Sequence, residues 1–264
     1  NRPAIGHIIL ASGLNVVVGY TGLLHLGYVA FYAIGAYAYA ILSVRLGLGF
    51  WTALPASTLL ATIAGGLLAF PALRLRGDYL AIVTLGFGEI TRLVLNNWDG
   101  FTNGPNGISG IPRPSIAGHS FNGLTGFYYF VLTAVVLSVL IIRNVCNSKT
   151  GRAWVSIRED EVAASTSGIN TMKYKFYSLA FGSFWAGLAG ALFASKMQFV
   201  SPESFTFMES VLILCMVILG GLGNIAGPVL GALILVTFPE LLRGIDQFRM
   251  LVLGGGLVLL MVYR

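Results

Sequence analysis

A chain of 264 residues that is 56% apolar and only 10% charged departs from the roughly 45–50% apolar and about 25% charged make-up of soluble domains. Its solvent is lipid, and crossings of about 20 residues each leave no length for a large soluble domain. The net charge of +6 is no nucleic-acid signature, because Lys and Arg lie scattered between apolar runs, where they set topology.

The expected fold class is an all-α integral membrane protein, a polytopic helical bundle of eight or nine transmembrane spans in one domain over 1–264. The 34 glycines, near twice the usual frequency of about 7%, sit inside apolar runs. There they let helix backbones approach closely, since lipid gives helices no hydrophobic drive to associate. Because the chain opens on Asn1 and ends on Arg264 in an apolar run, it reads as a piece of a longer protein. A further span or translocated tail is expected upstream.

The first candidate spans cover 4–19 and 23–44. In the second, His25 stands in an apolar stretch with no carboxylate beside it, which reads as a hydrogen-bonded core residue. Gly22, Gly27 and Gly35 are spaced like Gly223, Gly227 and Gly231. That echo is either an internal repeat of the kind transporters contain or the trace of small residues at helix contacts. A third span covers 51–73. Arg74-Leu75-Arg76-Gly77-Asp78 then leads into a fourth over 79–97, where Thr84, Gly86 and Gly88 make a small-residue face, either a packing seam or a pathway wall. Glu89 and Arg92 stand three apart on one face of this span and are placed to pair. An ionisable residue at membrane depth points to function, whereas the nearby Asn96, Asn97 and Trp98 suit a structural pair at an interface.

The stretch over about 97–123 contains Thr102-Asn103-Gly104-Pro105-Asn106-Gly107, then Pro112 and Pro114. These turn formers predict a folded external loop, too long for a plain connection. A fifth span covers 124–142. Arg143, Lys149, Arg152, Arg158, Lys173 and Lys175, six of the 16 basic residues, follow in 143–175, so this loop is expected to be cytoplasmic. Alternation then puts Arg74, Arg76 and Arg264 on the same side and 97–123 outside. Within the loop, the stretch from Arg152 to Ser167 has no turn breaker, carries Arg158-Glu159-Asp160-Glu161 in a row, and meets Gly168 where a helix would end. It reads either as a solvated connector or as a short surface helix docking on a partner. In the docking reading Trp154 and Ile157 insert and the charges form the rim.

The remaining spans are 176–197, 206–222, 226–243 and 249–263. Glu209 falls near the start of the seventh, where a helix N-terminus favours a carboxylate. Gly220, Gly221, Gly223 and Gly227 with Pro228 form either a turn between two spans or a break within the membrane, hence eight or nine crossings. Cys146 and Cys215 have no metal-like spacing and read as packing residues. No Gly-Lys pair occurs, so a phosphate-binding G-x-x-x-x-G-K-[ST] loop is ruled out. There is also no H-E-x-x-H motif and no Gly-x-Ser-x-Gly in a strand-to-helix setting. The chain is therefore not expected to be an enzyme or to hold a cofactor or metal. Any ATP driving it would be hydrolysed by another polypeptide.

Six blocks in one order carry a resemblance. They are Leu14-Asn15-Val16-Val17-Val18-Gly19 with Gly22-Leu23-Leu24; Phe31-Tyr32-Ala33-Ile34-Gly35-Ala36-Tyr37; the run over 74–90; Gly104-Pro105-Asn106-Gly107-Ile108-Ser109; Gly151-Arg152-Ala153-Trp154 ahead of Arg158-Glu159-Asp160-Glu161; and Phe199-Val200-Ser201-Pro202-Glu203-Ser204-Phe205. Through them the chain resembles the LivM-type permease subunits of branched-chain amino acid ABC importers. The resemblance implies a multi-pass permease of the bacterial inner membrane, embedded in lipid and paired with a second permease of the same family. It implies two ATPase subunits below and a periplasmic binding protein that delivers leucine, isoleucine or valine, with alternating access as the mechanism. It further implies that 152–168 is the ATPase-coupling helix, with Arg152, Trp154, Ile157, Arg158, Glu159, Asp160, Glu161, Ala164 and Gly168 as its contact set. Ala163, Ala164 and Gly168 keep part of the importers' Glu-Ala-Ala and later Gly pattern, with Val162 where its Glu belongs and Glu161 one place early. The external loop would meet the binding protein. Similar permeases carry urea and short amides, an alternative cargo; an ion-coupled secondary carrier with Glu89 as the coupling carboxylate is the alternative of a different class.

Overall fold

The computed structural model describes residues 4–72, 75, 77–112, 115, 116, 119, 120 and 124–241. The ninth expected span, 249–263, and Arg74, Arg76 and Arg264 of the charge pattern lie outside them. Helix α1 (Ala4–Asn15) runs into a π-helical turn over Val16–Tyr20. Next come α2 (Val29–Val44), α3 (Phe50–Ala72), α4 (Asp78–Asn97) and the single turn α5 (Asp99–Thr102). Three strands of two residues follow, β1 (Ile108–Ser109), β2 (Ser115–Ile116) and β3 (His119–Ser120). The second half comprises α6 (Leu124–Cys146), α7 (Lys149–Glu159), α8 (Glu161–Thr166), α9 (Thr171–Met197), β4 (Phe199–Val200), α10 (Phe207–Gly220) and α11 (Ala226–Leu241). Among the described residues five segments are long and apolar enough to cross a membrane: Phe50–Ala72, Tyr79–Asn97, Gly126–Cys146, Thr171–Met197 and Pro202–Gly220. The apolar helices Gly6–Tyr20, Val29–Val44 and Ala226–Thr237 are shorter.

The 27-residue α9 is the centre of the bundle, packed against α1, α2 and α3. Its contact faces are small residues, and the backbones nearly touch. A methyl group on Gly35 of α2 would fall 2.5 Å from Gly187 Cα, and one on Gly187 would fall 2.5 Å from Ala61 Cβ of α3. Close approach of this kind gathers many dispersion contacts, each worth only about 0.1–0.2 kcal/mol, into the attraction that holds helices together in lipid. Helices α10 and α11 form an antiparallel hairpin in which Gly220 faces Gly227 and Gly231 faces Met216. The glycine-rich stretch is thus a turn between two helices.

The expected continuous span over 23–44 is not formed: the chain is unwound from Thr21 to Tyr28. Apolarity alone does not reveal this, because what holds the break comes from three distant helices. The Leu26 N–H donates to Thr84 Oγ1 of α4 at 3.1 Å, and the Val29 N–H to Ser210 Oγ of α10 at 3.1 Å. Thr21 Oγ1 donates to Ser178 Oγ of α9 at 2.7 Å. Gly22 takes the left-handed φ of +74° that starts the break. Irregular backbone survives at membrane depth only where the surrounding protein satisfies it in this way. His25 lies in the break, 1% exposed, and its expected hydrogen bond is not found among the described residues. Among the described residues neither ring nitrogen has a partner, and the ring sits against Tyr28 and Phe31, 6.0 and 5.4 Å between centroids. Cys146 and Cys215 are free thiols, buried and half-buried.

At one end of the bundle the described part of 97–123 folds onto the α9–α10 link. β1 pairs antiparallel with β4, Ile108 opposite Val200. Gln198 Nε2 donates to the Ile111 carbonyl at 3.3 Å, and Arg45 Nη1 to the Gly100 carbonyl at 3.0 Å. Near the starts of α1 and α10, His7 Nε2 lies 2.8 Å from Glu209 Oε1, so Glu209 gains a partner as well as a helix N-terminus.

Candidate functional site

The opposite end is built around α7 and α8. Ser148 starts α7, its Oγ accepting from the Thr150 N–H at 3.2 Å. The expected single helix over 152–168 breaks at Asp160, whose backbone is extended (φ −155°, ψ 111°). Asp160 Oδ1 accepts from the N–H groups of Val162 and Ala163 at 2.8 and 3.0 Å, capping α8. The four-charge run that reads as a docking rim therefore contains a helix start, which is what an Asp followed by a Glu in the first turn favours. Gly168, at φ +84°, ends α8, and the Ile169 N–H returns to the Ala164 carbonyl at 3.1 Å.

In the docking reading Trp154 and Ile157 insert into a partner. Both are buried within this chain, 1% and 4% exposed. Trp154 Nε1–H donates to the Tyr174 carbonyl at 2.8 Å and its ring lies 6.1 Å from that of Phe181. With Ala153 and Ala164, also buried, they seat the helix pair on α9. Among the residues that face outward are Arg152, Val155, Ser156, Glu159, Val162 and Ala163.

Arg158, 38% exposed, reaches back to the bundle. Its Nη1 donates to the Gly19 carbonyl in the π-helical turn, a cation set against the carbonyl end of a helix. A methyl on Gly22 would fall 3.0 Å from Arg158 Cγ, and one on Gly223 2.7 Å from its Nη1. The side chain thus passes between the unwound segment and the α10–α11 turn. Glu159 Oε1 is 3.9 Å from Arg158 Nη2 and 70% exposed, a weak surface pair. Glu161 Oε1, by contrast, lies 2.7 Å from Lys175 Nζ, whose side chain is 7% exposed. That lysine is buried with its counter-charge, as a buried cation requires.

Asn15 completes this end. It is 1% exposed, with Nδ2 donating to the Asn224 carbonyl at 2.9 Å and Oδ1 accepting from the Gly223 N–H at 3.1 Å. The last turn of α1 is thereby tied to the α10–α11 turn by one side chain and to α7 by another. From sequence Asn15 enters only within a matched block and Lys175 only as one of the basic residues of 143–175. An amide inside the apolar run over 4–19 is a signal that finds Asn15; Lys175 carries none, since its carboxylate comes from another helix.

The other expected residues lie along α4. Thr84 is fully buried, its hydroxyl donating to the Ala81 carbonyl at 3.0 Å while accepting from Leu26. It holds the break, and Gly88 packs beside it against Gly27. Glu89 and Arg92 do pair, with Arg92 Nε and Nη2 each 3.0 Å from Glu89 Oε2 and both side chains about one third exposed, at 35% and 34%. Glu89 stands about 13 Å and Arg92 about 18 Å further along α4 than Leu80, by the rise of a helix, and the pair belongs to a different place from the α7–α8 cluster.

Residues 4–262 match the family described as branched-chain amino acid transport system, permease component. The chain is 48% identical to the high-affinity branched-chain amino acid transport system permease protein LivM of Escherichia coli K12, an alignment covering 98% of this chain and 66% of that protein. Identity to the protein of the same name from Salmonella typhimurium is also 48%, with the same coverage. A xylose transport system permease protein of Haemophilus influenzae is 29% identical over 54% of this chain and 40% of its own length. The chain thus spans just under two thirds of the length of its LivM relatives. No solved structure matches it.

Proposed function

We propose that this chain, which belongs to the family of branched-chain amino acid transport system permease components, is the membrane-spanning permease subunit of an ATP-driven importer. Its cargo is leucine, isoleucine and valine, moved across a bacterial inner membrane by alternating access. The observation that carries this reading is the 48% identity to LivM along 98% of the chain. As a permease it is not itself an enzyme, and hydrolysis belongs to two ATPase subunits. A second permease of the same family completes the pathway, and a periplasmic binding protein supplies cargo.

The bundle crosses the membrane eight or nine times, with the three shorter apolar helices and 249–263 added to the five long segments. The α7–α8 end is cytoplasmic, in keeping with its six basic residues, and the β1–β4 end is periplasmic. Helices α7 and α8 are the coupling element. Their outward residues Arg152 and Glu159 meet the ATPase, Trp154, Ile157, Ala164 and Gly168 give the element its shape, Asp160 sets the kink, and Arg158 and Glu161 connect it to the bundle. Glu89 and Arg92, one third exposed on a span, face the pathway or the second permease, since lipid disfavours them; Thr84, buried on the same helix, holds the break.

The test is reconstitution of the full-length chain with the second permease, the ATPases and the binding protein in proteoliposomes. Leucine uptake must require both ATP and binding protein. Uptake by the permease alone under a proton or sodium gradient would refute an ATP-driven importer, and uptake of urea in place of leucine would refute the cargo.

A further inference from the structure

A cavity of about 160 Å³ opens between the unwound segment, the start of α4, and helices α7, α8 and α9. One wall is aliphatic, with Leu24, Leu80 and Ile157; the other carries Arg158, Glu161 and Lys175. Both signs of charge therefore stand within reach of one small chamber, with two cations to one carboxylate among the described lining residues. We propose that this cavity is an inhibitory site for a branched-chain α-amino acid on the cytoplasmic side, an inference that rests on the cytoplasmic placement and the cargo class given above.

The chemistry of the walls selects the ligand. A carboxylate is drawn by the surplus positive charge, whereas a simple amine is repelled by two cations. An acid without an amine leaves Glu161 deprived of the Lys175 ammonium it now holds at 2.7 Å. A zwitterion inserted into that pair keeps every charge matched, its carboxylate on Lys175 and Arg158 and its ammonium on Glu161. Buried charges tolerate rearrangement only when they stay paired in this way. The aliphatic wall takes the side chain, and the volume suits one amino acid rather than a peptide or nucleotide.

Occupancy has a mechanical consequence. Glu161 opens α8 and Lys175 lies on α9, so a ligand between them parts the coupling element from the central helix. Arg158, drawn to the ligand carboxylate, is drawn away from the Gly19 carbonyl. Accumulated cargo would then hold the coupling element out of register and slow import.

The experiment uses the complete complex in proteoliposomes, with ATP and L-leucine inside and loaded binding protein outside. ATP hydrolysis is the readout, scored against each variant's rate without luminal leucine. Hydrolysis falls as luminal leucine rises. L-Leucinol, which lacks the carboxylate, and isocaproate, which lacks the ammonium, inhibit at least about tenfold more weakly, the loss of roughly one charged contact. Leu24→Trp fills the chamber and raises the half-inhibitory leucine concentration at least about tenfold; Glu161→Gln does likewise. A complex that imports leucine yet ignores luminal leucine overturns the site and leaves the importer reading standing. Inhibition that persists unchanged in Leu24→Trp assigns it to the transport pathway and overturns the site equally. A wild-type complex with no ATP-dependent leucine uptake overturns the importer reading itself, and the site with it.

Discussion

Replacing Arg158 with Met keeps the aliphatic stem that passes Gly22 and removes the guanidinium that holds the Gly19 carbonyl. A hydrogen bond from a charged donor is worth about 1.5–3 kcal/mol. Because this side chain is 38% exposed, solvent screening leaves about 1 kcal/mol, a factor of about five in any equilibrium that depends on it. If the bond transmits motion from α7 to the end of α1, the variant should assemble normally and hydrolyse ATP, yet move about fivefold less leucine per ATP. The assay is the ratio of radiolabelled leucine uptake to phosphate release in proteoliposomes, with subunit stoichiometry measured on the same preparation. A wild-type ratio would refute a transmitting role. Loss of the ATPases during purification would refute it differently, by making Arg158 a docking contact.

Four further outcomes are expected. Asn15→Ala removes the hydrogen bonds to the Gly223 N–H and the Asn224 carbonyl, about 0.5–1.5 kcal/mol each, and should lower the thermal unfolding midpoint of the purified complex. Gly187→Leu forces apart α9 and α3, whose contact leaves no room for even a methyl, and should abolish accumulation of folded protein in the membrane, measured by fluorescence-detected size-exclusion chromatography. Trp154→Phe loses the bond to the Tyr174 carbonyl, about 1 kcal/mol, and should loosen α7 enough to raise its amide hydrogen exchange. Exchanging Glu89 and Arg92 for one another keeps the pair but reverses its field. Restored uptake in the double exchange, with loss in each single one, would mark a structural pair, and loss in all three a pathway role.

The long apolar helices α3, α4, α6 and α9 were legible in the sequence because span length and apolarity are local properties of the chain. The pairing of Glu89 with Arg92 was legible for the same reason, being three residues apart on one helix. The break over 21–28 was not. Its donors find Thr84 and Ser210 only after α4 and α10 have packed, and the residues of the break itself are as apolar as a span. The kink at Asp160 had a local signal, a capping residue ahead of Glu161, outweighed by the absence of Gly or Pro. What covers Trp154 and Ile157 was not legible either, because the periodicity of a helix shows an apolar face without saying what buries it.

The contact between Arg158 and Gly19 joins a side chain to a main-chain oxygen, and that has a bearing on heredity. Every residue offers the same carbonyl, so substitution at position 19 does not delete the acceptor, and no exchange there compensates for loss of the arginine. A genetic screen for suppressors of an Arg158 defect should therefore return changes elsewhere in the machine and none at the contact itself. Comparison of many related sequences would find no correlated pair marking it, although the two positions touch across 139 residues of chain.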